Sequence, residues 1–245
     1  RPIVVLSPII KFMESRFLPA LPPYLPRQLR RCQVGFIPEK DKFLNFTRLM
    51  CSATKLRKNN NFTSRSALLQ EHHAIVFIDY SSAFNTVNRE LLYQRLIRQG
   101  IMETNEVEWL KSLHSMIEIK SANSKLRGNA GLAQGSMISP GLFNIYVEPL
   151  IEELIKEGTS PEHILMYADD LAVITPINQL QNVIRTIQTV SERLHLKLNP
   201  SKSGILWINP GNRRRNPIPM EVLSIPRVSN YKYLGVWLDS KLQIR

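Results

Sequence analysis

Ile164-Leu165-Met166-Tyr167-Ala168-Asp169-Asp170-Leu171-Ala172-Val173-Ile174 sets two apolar runs on either side of a short polar link. Two β-type runs around such a link read as a hairpin, with the adjacent acids Asp169 and Asp170 in the link. Neighbouring carboxylates at a hairpin tip repel: two unit charges about 4 Å apart cost roughly 4 kcal/mol at an effective dielectric of about 20. A bound divalent cation removes that cost, and a hard, oxygen-seeking ion such as Mg2+ suits it best. An isolated Asp-Asp is more often a plain solvated turn, so the rest of the chain must decide.

The 245 residues allow one large domain or two small ones with a substantial core. Lysine and arginine outnumber aspartate and glutamate 32 to 20, a formal net charge of +12. A globular chain this basic points to polyanionic partners, nucleic acid first and an acidic membrane face second. Cys32 and Cys51 are the only cysteines and lack CxxC spacing. They make neither a disulfide framework nor a zinc site, and a reducing compartment is expected. His72 and His73 are adjacent and point in different directions on any regular element, which reads as surface rather than ligand. The sequons at Asn45 and Asn61 matter only in a secreted chain, and no signal peptide or membrane-length apolar run is read here. Beginning at Arg1 and stopping after a strand-like run at Arg245, the chain reads as an excerpt of a longer protein.

The first third is punctuated by Pro19, Pro22, Pro23 and Pro26, which forbid one long helix there. Segment 55–66, with Lys55, Arg57, Lys58 and three asparagines, reads as an exposed loop. Residues 74–78 read as a short buried strand ending at Asp79. Leu91, Leu92, Leu96 and Ile97 carry helical spacing over 89–99, with Gly100 as its C-terminal cap. Asn105 and Glu108 resemble a capping box that opens a helix to residue 117. Ser139-Pro140 reads as N-cap and first-turn proline of a helix to about residue 155. Leu180, Val183, Ile184, Ile187, Val190 and Leu194 form one apolar stripe for packing. A turn at 199–202 leads into a strand at 204–208, and 231–238 reads as a further strand. Arg213-Arg214-Arg215 falls in a loop, as solvated charge or a phosphate contact. The sum is an α+β chain: a largely antiparallel sheet covered by helices on one face.

Asp79, like Asp169-Asp170, ends an apolar strand. Strand ends are rigid, so three carboxylates can meet at one sheet edge with little slack. Such a cluster can hold two divalent ions roughly 3.5–4 Å apart and brace an in-line displacement at phosphorus. A basic chain presenting an acidic metal nest meets the needs of phosphodiester chemistry on nucleic acid.

Ordered blocks then carry a resemblance. They are Phe77-Ile78-Asp79-Tyr80-Ser81-Ser82-Ala83-Phe84; Gly131-Leu132-Ala133-Gln134-Gly135-Ser136 running into Ser139-Pro140 and Leu142-Phe143-Asn144-Ile145-Tyr146; Tyr167-Ala168-Asp169-Asp170; Leu198-Asn199-Pro200-Ser201-Lys202; and Tyr231-Lys232-Tyr233-Leu234-Gly235-Val236. Together they resemble reverse transcriptases of the non-LTR retrotransposon and group II intron type. Arg1-Pro2-Ile3 and Gln33-Val34-Gly35-Phe36 resemble that family's finger segments.

The resemblance implies a right-hand polymerase fold, with a partial fingers segment at 1–75 and a palm at 76–245, the thumb not included. It implies an RNA-directed DNA polymerase working on an RNA template, a DNA primer and dNTPs, inside a polyprotein with other domains, and nuclear access or a cytoplasmic ribonucleoprotein. Asp79, Asp169 and Asp170 would be the catalytic triad holding two Mg2+ ions, with Mn2+ able to substitute and the Tyr80 carbonyl helping. Phe84 would lie under the sugar and reject a 2′-hydroxyl; its bland reading is a core phenylalanine. Gln134 and Gly135 would flank the incoming nucleotide, glycine permitting close backbone approach. Lys202 would protonate the departing pyrophosphate, and is otherwise an exposed turn lysine. Arg1 would contact the triphosphate, and Tyr233, Leu234 and Gly235 would form the primer grip. Two departures stand out: Ile37-Pro38-Glu39-Lys40 replaces a basic, glycine-containing finger segment, and Asn85 replaces a common aspartate. A non-catalytic RNA-binding scaffold or decayed copy is the competing reading; it predicts loss of a triad acid or of the ring, and all are present.

Overall fold

The computed structural model describes residues 6–17, 31–37, 40–62, 72–116, 119–121, 124–126, 130–208 and 218–244. In chain order its elements are α1 (Pro8–Phe17), α2 (Lys42–Phe62), β1 (His73–Ile78), the single turn α3 (Ala83–Thr86), α4 (Arg89–Arg98), α5 (Thr104–Met116), β2 (Ile119–Ser121), β3 (Ser124–Leu126), α6 (Ser139–Lys156), β4 (Ile164–Tyr167), β5 (Asp170–Pro176), α7 (Leu180–Arg193), β6 (Gly204–Trp207), β7 (Glu221–Val222), β8 (Ile225–Val228), β9 (Asn230–Tyr233) and β10 (Val236–Asp239).

The main sheet runs β4-β5-β1-β6-β8-β7, while β9–β10 and β2–β3 are separate hairpins. Every pair in the main sheet is antiparallel except β6–β8, which is parallel. Alternate residues of the central strands go to opposite sides. Ala74, Val76 and Ile78 of β1, Leu171 and Val173 of β5, and Ile205 and Trp207 of β6 join a core with α4, α5, α6 and α7. Ile75, Phe77, Ala172, Ile174 and Leu206 join a second core with Leu49 and Ala53 of α2 and with Tyr233 and Leu238 of the β9–β10 hairpin. Hence the one-faced covering expected above is corrected. Both faces are sealed, which is why these strands are apolar at every position rather than at every second one.

The apolar stripe of α7 behaves as expected: Leu180, Val183, Ile184, Ile187 and Val190 are all buried. Around α4, Asn88 caps the N-terminus by accepting from the amides of Glu90 and Leu91, and Gly100, at φ 64, follows the C-cap. Other expectations need revision. Residues 55–62 are helix, not loop, because Leu49, Ala53 and Leu56 put a stripe at 0, 4 and 7 residues against the second core. The capping reach at α5 is made by Glu106 back to the Glu103 amide, 2.7 Å, two residues earlier than the Asn105–Glu108 pair. At α6 the cap position is Ile138, and Ser136 Oγ accepts from the Ser139 amide at 3.2 Å. His73 is buried in β1 rather than on the surface. Asn45 is also buried and donates to Tyr233 Oη at 2.9 Å, so it is no glycosylation acceptor in this fold. Residues 231–238 form a hairpin rather than a single strand. Both cysteines are free, Cys32 buried and Cys51 exposed.

One buried histidine makes stability depend on pH. His114 Nδ1 lies 2.6 Å from Tyr93 Oη. Burial first, and then the Arg89 charge, lowers its pKa from 6.5 to about 3. The folded state therefore holds the ring neutral, whereas the unfolded chain takes up a proton as pH falls through 6.5. The stabilisation is fully present above that pH and drains away between 6.5 and about 3. Thermal melts of the protein from pH 7.5 to 5 should show a steeper fall in Tm for wild type than for His114→Gln; parallel slopes would remove His114 as the cause.

Candidate active site

β1 and β5 pair with Ile78 opposite Leu171. One step beyond, the same register sets Asp79 beside Asp170. Ile78 and Leu171 face the first core, so pleating turns Asp79 and Asp170 to the opposite side, that of Phe77 and the β9–β10 hairpin. All three acids are half-buried. Asp79 is fixed at its backbone: its amide donates to Ser203 Oγ at 3.1 Å, and its carbonyl accepts from the Asn199 amide at 2.9 Å. Tyr80 next to it turns inward, fully buried, with its hydroxyl 2.9 Å from Ser191 Oγ.

The link of the hairpin is Ala168-Asp169, since Asp170 already pairs with Tyr167 as the first residue of β5. Only one acid is therefore in the link. Ala168 has φ 56, the positive value that tight hairpin links require at their first position. For a residue with a Cβ this conformation costs roughly 1–2 kcal/mol.

β9 brings two phenols under the acids. Tyr231 is stacked on Phe77, with centroids 4.2 Å apart and planes at 3°. Its pKa is raised by burial first and then by the charges of Asp170 and Asp79. Tyr233 is raised likewise, by burial and then by Asp170. Leu234, φ 50, and Gly235, φ 93, form the two-residue link of this second hairpin. Tyr231 Oη donates to the Lys202 carbonyl at 2.7 Å, and Tyr233 Oη to the Leu165 carbonyl at 3.4 Å. Lys202 itself is exposed in its turn.

Phe84 stacks on Phe143, centroids 4.4 Å and planes 14°, and meets Phe36 edge-on at 6.1 Å. It is 9% exposed, so the core reading and the sugar-facing reading both keep a physical basis. The loop holding Gln134 and Gly135 is tied to this ring's backbone: the Leu132 amide donates to the Phe84 carbonyl at 2.7 Å and the Gly131 amide to the Val87 carbonyl at 2.8 Å. A Cβ on Gly131 would stand 2.9 Å from the Asn85 carbonyl oxygen, which explains glycine there. Gly135, φ 111, is exposed and Gln134 half-buried. From α1, the buried Glu14 carboxylate accepts from Ser136 Oγ at 2.6 Å and from the Met137 amide at 2.8 Å, anchoring the loop's far end.

The structure thus gathers Asp79, Asp170, Tyr231 and Tyr233 on one side and joins Phe84 to the Gln134–Gly135 loop. Arg1, the Arg213–Arg215 run and Pro38-Glu39 lie outside the described residues. Among the described residues no group of three or more His, Cys, Asp or Glu side chains is close enough to hold a metal ion as placed. The donor chemistry fits a hard divalent cation nonetheless, being carboxylate oxygens on rigid strand ends. Sequence reasoning missed Glu14, Asn144 and the individual role of Gln33. For Gln33 and Asn144 the available signal was Gly35, whose amide donates to Gln33 Oε1 and whose carbonyl accepts from Asn144 Nδ2, since glycine inside an apolar stretch marks a close backbone approach.

Residues 1–238 match the family described as reverse transcriptase (RNA-dependent DNA polymerase). Over 195 residues the chain is 27% identical to the probable RNA-directed DNA polymerase from transposon BS of Drosophila melanogaster, covering 71% of this chain and 21% of that protein. Over 203 residues it is 24% identical to the RNA-directed DNA polymerase from mobile element jockey of Drosophila funebris, covering 78% and 22%. The chain therefore spans about a fifth of the length of these curated relatives. Among solved structures, apo telomerase from Candida tropicalis truncated from its C-terminal domain aligns with a TM-score of 0.59 at 13% identity, over 97% of this chain and 44% of that one. That likeness establishes the right-hand polymerase fold. Because the family match runs from before α1 into β10 and takes in both acid-bearing strand ends, this chain belongs to the reverse transcriptase family.

Proposed function

We propose that the parent protein is the RNA-directed DNA polymerase of a retroelement, adding dNTPs to a primer 3′-hydroxyl as an RNA template directs. The observation that carries this reading is the β1–β5 register, which sets Asp79 beside Asp170 on the face lined by Tyr231 and Tyr233. Asp79, Asp169 and Asp170, with the Tyr80 carbonyl, would hold two Mg2+ ions, for which Mn2+ can substitute. When bound, such a pair lowers the pKa of the attacking hydroxyl and neutralises charge growing on the α-phosphate.

The chain's own groups have separable tasks. Ser203 and Asn199 fix the backbone of Asp79, so that its carboxylate starts from a rigid strand end. Gln134 and the exposed Gly135 would lie along the incoming nucleotide, and Arg1 would meet its triphosphate. Lys202 would donate a proton to the departing pyrophosphate as the bond to the α-phosphate breaks. Tyr233, Leu234 and Gly235 would hold the primer end. Excess positive charge supplies salt-sensitive attraction to the RNA template and DNA primer. Residues 76–245 would be the palm and 1–75 a partial fingers segment, braced because α2 packs on the sheet. Among the described residues no helix is long and apolar enough to cross a membrane. Nuclear access and further polyprotein domains are part of this proposal.

Primer extension by the parent protein on an RNA template, with Mg2+ titrated, tests it. Template-directed dNTP addition that requires the ion is expected; RNA binding without extension would favour a non-catalytic scaffold. Phe84 offers a sharper check. In Phe84→Val, use of rNTPs relative to dNTPs should rise on the order of 10- to 100-fold, with dNTP addition retained. A lower Tm with unchanged sugar preference would return Phe84 to the role of a core ring stacked on Phe143.

A further inference from the structure

We infer that Gln33 is a positioning residue: its side-chain amide locks the Ala168 peptide and so sets how Asp169 and Asp170 leave the hairpin. The catalytic half of this inference rests on the polymerase reading above; the structural half does not.

Gln33 is 1% exposed and Ala168 is 6% exposed, so the polar groups of this link have almost no access to water. Gln33 Oε1 accepts from the Ala168 amide at 3.1 Å and from the Gly35 amide at 3.0 Å. Gln33 Nε2 donates to the Ala168 carbonyl at 3.3 Å. One side chain therefore answers both the N–H and the C=O of a residue held at positive φ. The primary amide suits this task because one end accepts while the other donates; a carboxylate only accepts, and lysine or arginine only donates. The orientation of the amide is dictated by its neighbours, because two N–H donors face its oxygen.

The backbone around Gln33 prevents it from swinging away. Gln33 pairs with Met166 in a parallel bridge, and the Val34 amide donates to the Met166 carbonyl at 2.9 Å. Behind it, Asn144 Nδ2 on α6 donates to the Gly35 carbonyl at 2.9 Å. The segment carrying the clamp precedes β1 in the chain, so the conformation of the acid-bearing link is imposed from 135 residues away. Ala168 adjoins Asp169 directly, and any rotation of the Ala168 peptide swings that carboxylate.

The test uses the parent protein, with Gln33→Leu, the milder Gln33→Asn, and Gln33→Leu combined with Ala168→Gly. Amide hydrogen exchange without metal reports on residues 164–171. Exchange at the link should quicken about tenfold in the single variants, with the centre of α6 and α7 unchanged. The Mg2+ concentration for half-maximal extension should rise several-fold, the KM for primer-template staying constant. Glycine at 168 needs no clamp to reach positive φ and should restore part of both losses. Unchanged exchange at the link in a folded variant, or quickening spread evenly over the sheet, overturns the clamp. Local quickening with an unshifted Mg2+ dependence overturns the positioning role. A wild-type protein that extends no primer sinks the polymerase reading, while the exchange result still decides the clamp.

Discussion

On the polymerase proposal, Asp170→Asn should lower primer extension by on the order of 10³-fold or more, without loss of folding or of RNA binding. The expectation follows from where Asp170 sits. It opens β5, it stands beside Asp79 across the strand pair, and the charges of both acids are felt by Tyr231. Asparagine keeps the shape and most hydrogen-bonding capacity but removes the charge that binds a divalent ion. Like charges on neighbouring strands repel, so without metal the variant should melt no earlier than wild type. Mg2+ should raise the Tm of wild type and leave that of the variant nearly unmoved. A variant that still extends primers at the wild-type rate would place the chemistry elsewhere; one that unfolds would show that Asp170 serves the fold.

Gly35→Ala should be nearly as damaging by a different route. A Cβ there would lie 2.3 Å from the Ala168 nitrogen, 3.0 Å from the Tyr167 carbonyl carbon and 3.1 Å from the Ala168 Cα. Every one of these is a backbone atom, so no side chain can rotate aside. Either segment 31–37 lifts from the hairpin or the link between Tyr167 and Asp170 moves. Overpacking of this kind costs about 1–3 kcal/mol, or several degrees in Tm for a domain of this size. Displacing a reacting group by about 1 Å can cost on the order of 10²-fold in rate. Extension should therefore fall much further than Tm does. Full activity in Gly35→Ala would mean that the link tolerates displacement, and would weaken the case for Gln33 as well.

What could be read from the chain depended on how local the cause was. The stripe on α7 and the acids at two strand ends depend on neighbours in sequence, and both were legible. Which faces of the sheet are covered was not, because an apolar strand buried on both sides has no alternation to read. Helix α2 hid its last turns behind Lys55, Arg57, Lys58 and a run of asparagines, although Leu49, Ala53 and Leu56 keep helical spacing. His73 was misjudged because adjacency says nothing about burial once a strand is central. The link of the acid hairpin was located to within one residue, yet the partner that holds it, Gln33, lies 135 residues away and leaves no periodic trace.

The second face of the sheet has a history as well as a structure. Helix α2 is synthesised before any strand it covers, whereas the β9–β10 hairpin emerges after all six strands of the main sheet. About 150 residues separate Phe77 from Tyr231, so at about 5–20 residues per second the ribosome leaves roughly eight to thirty seconds between them. Once β5 and β6 have paired with β1, the apolar face around Phe77 still lacks the hairpin, and exposed apolar surface of that kind is prone to aggregation. Tyr231 and Tyr233 complete that face by packing on Phe77, so the tyrosines that flank the acids are also among the last residues to close the second core.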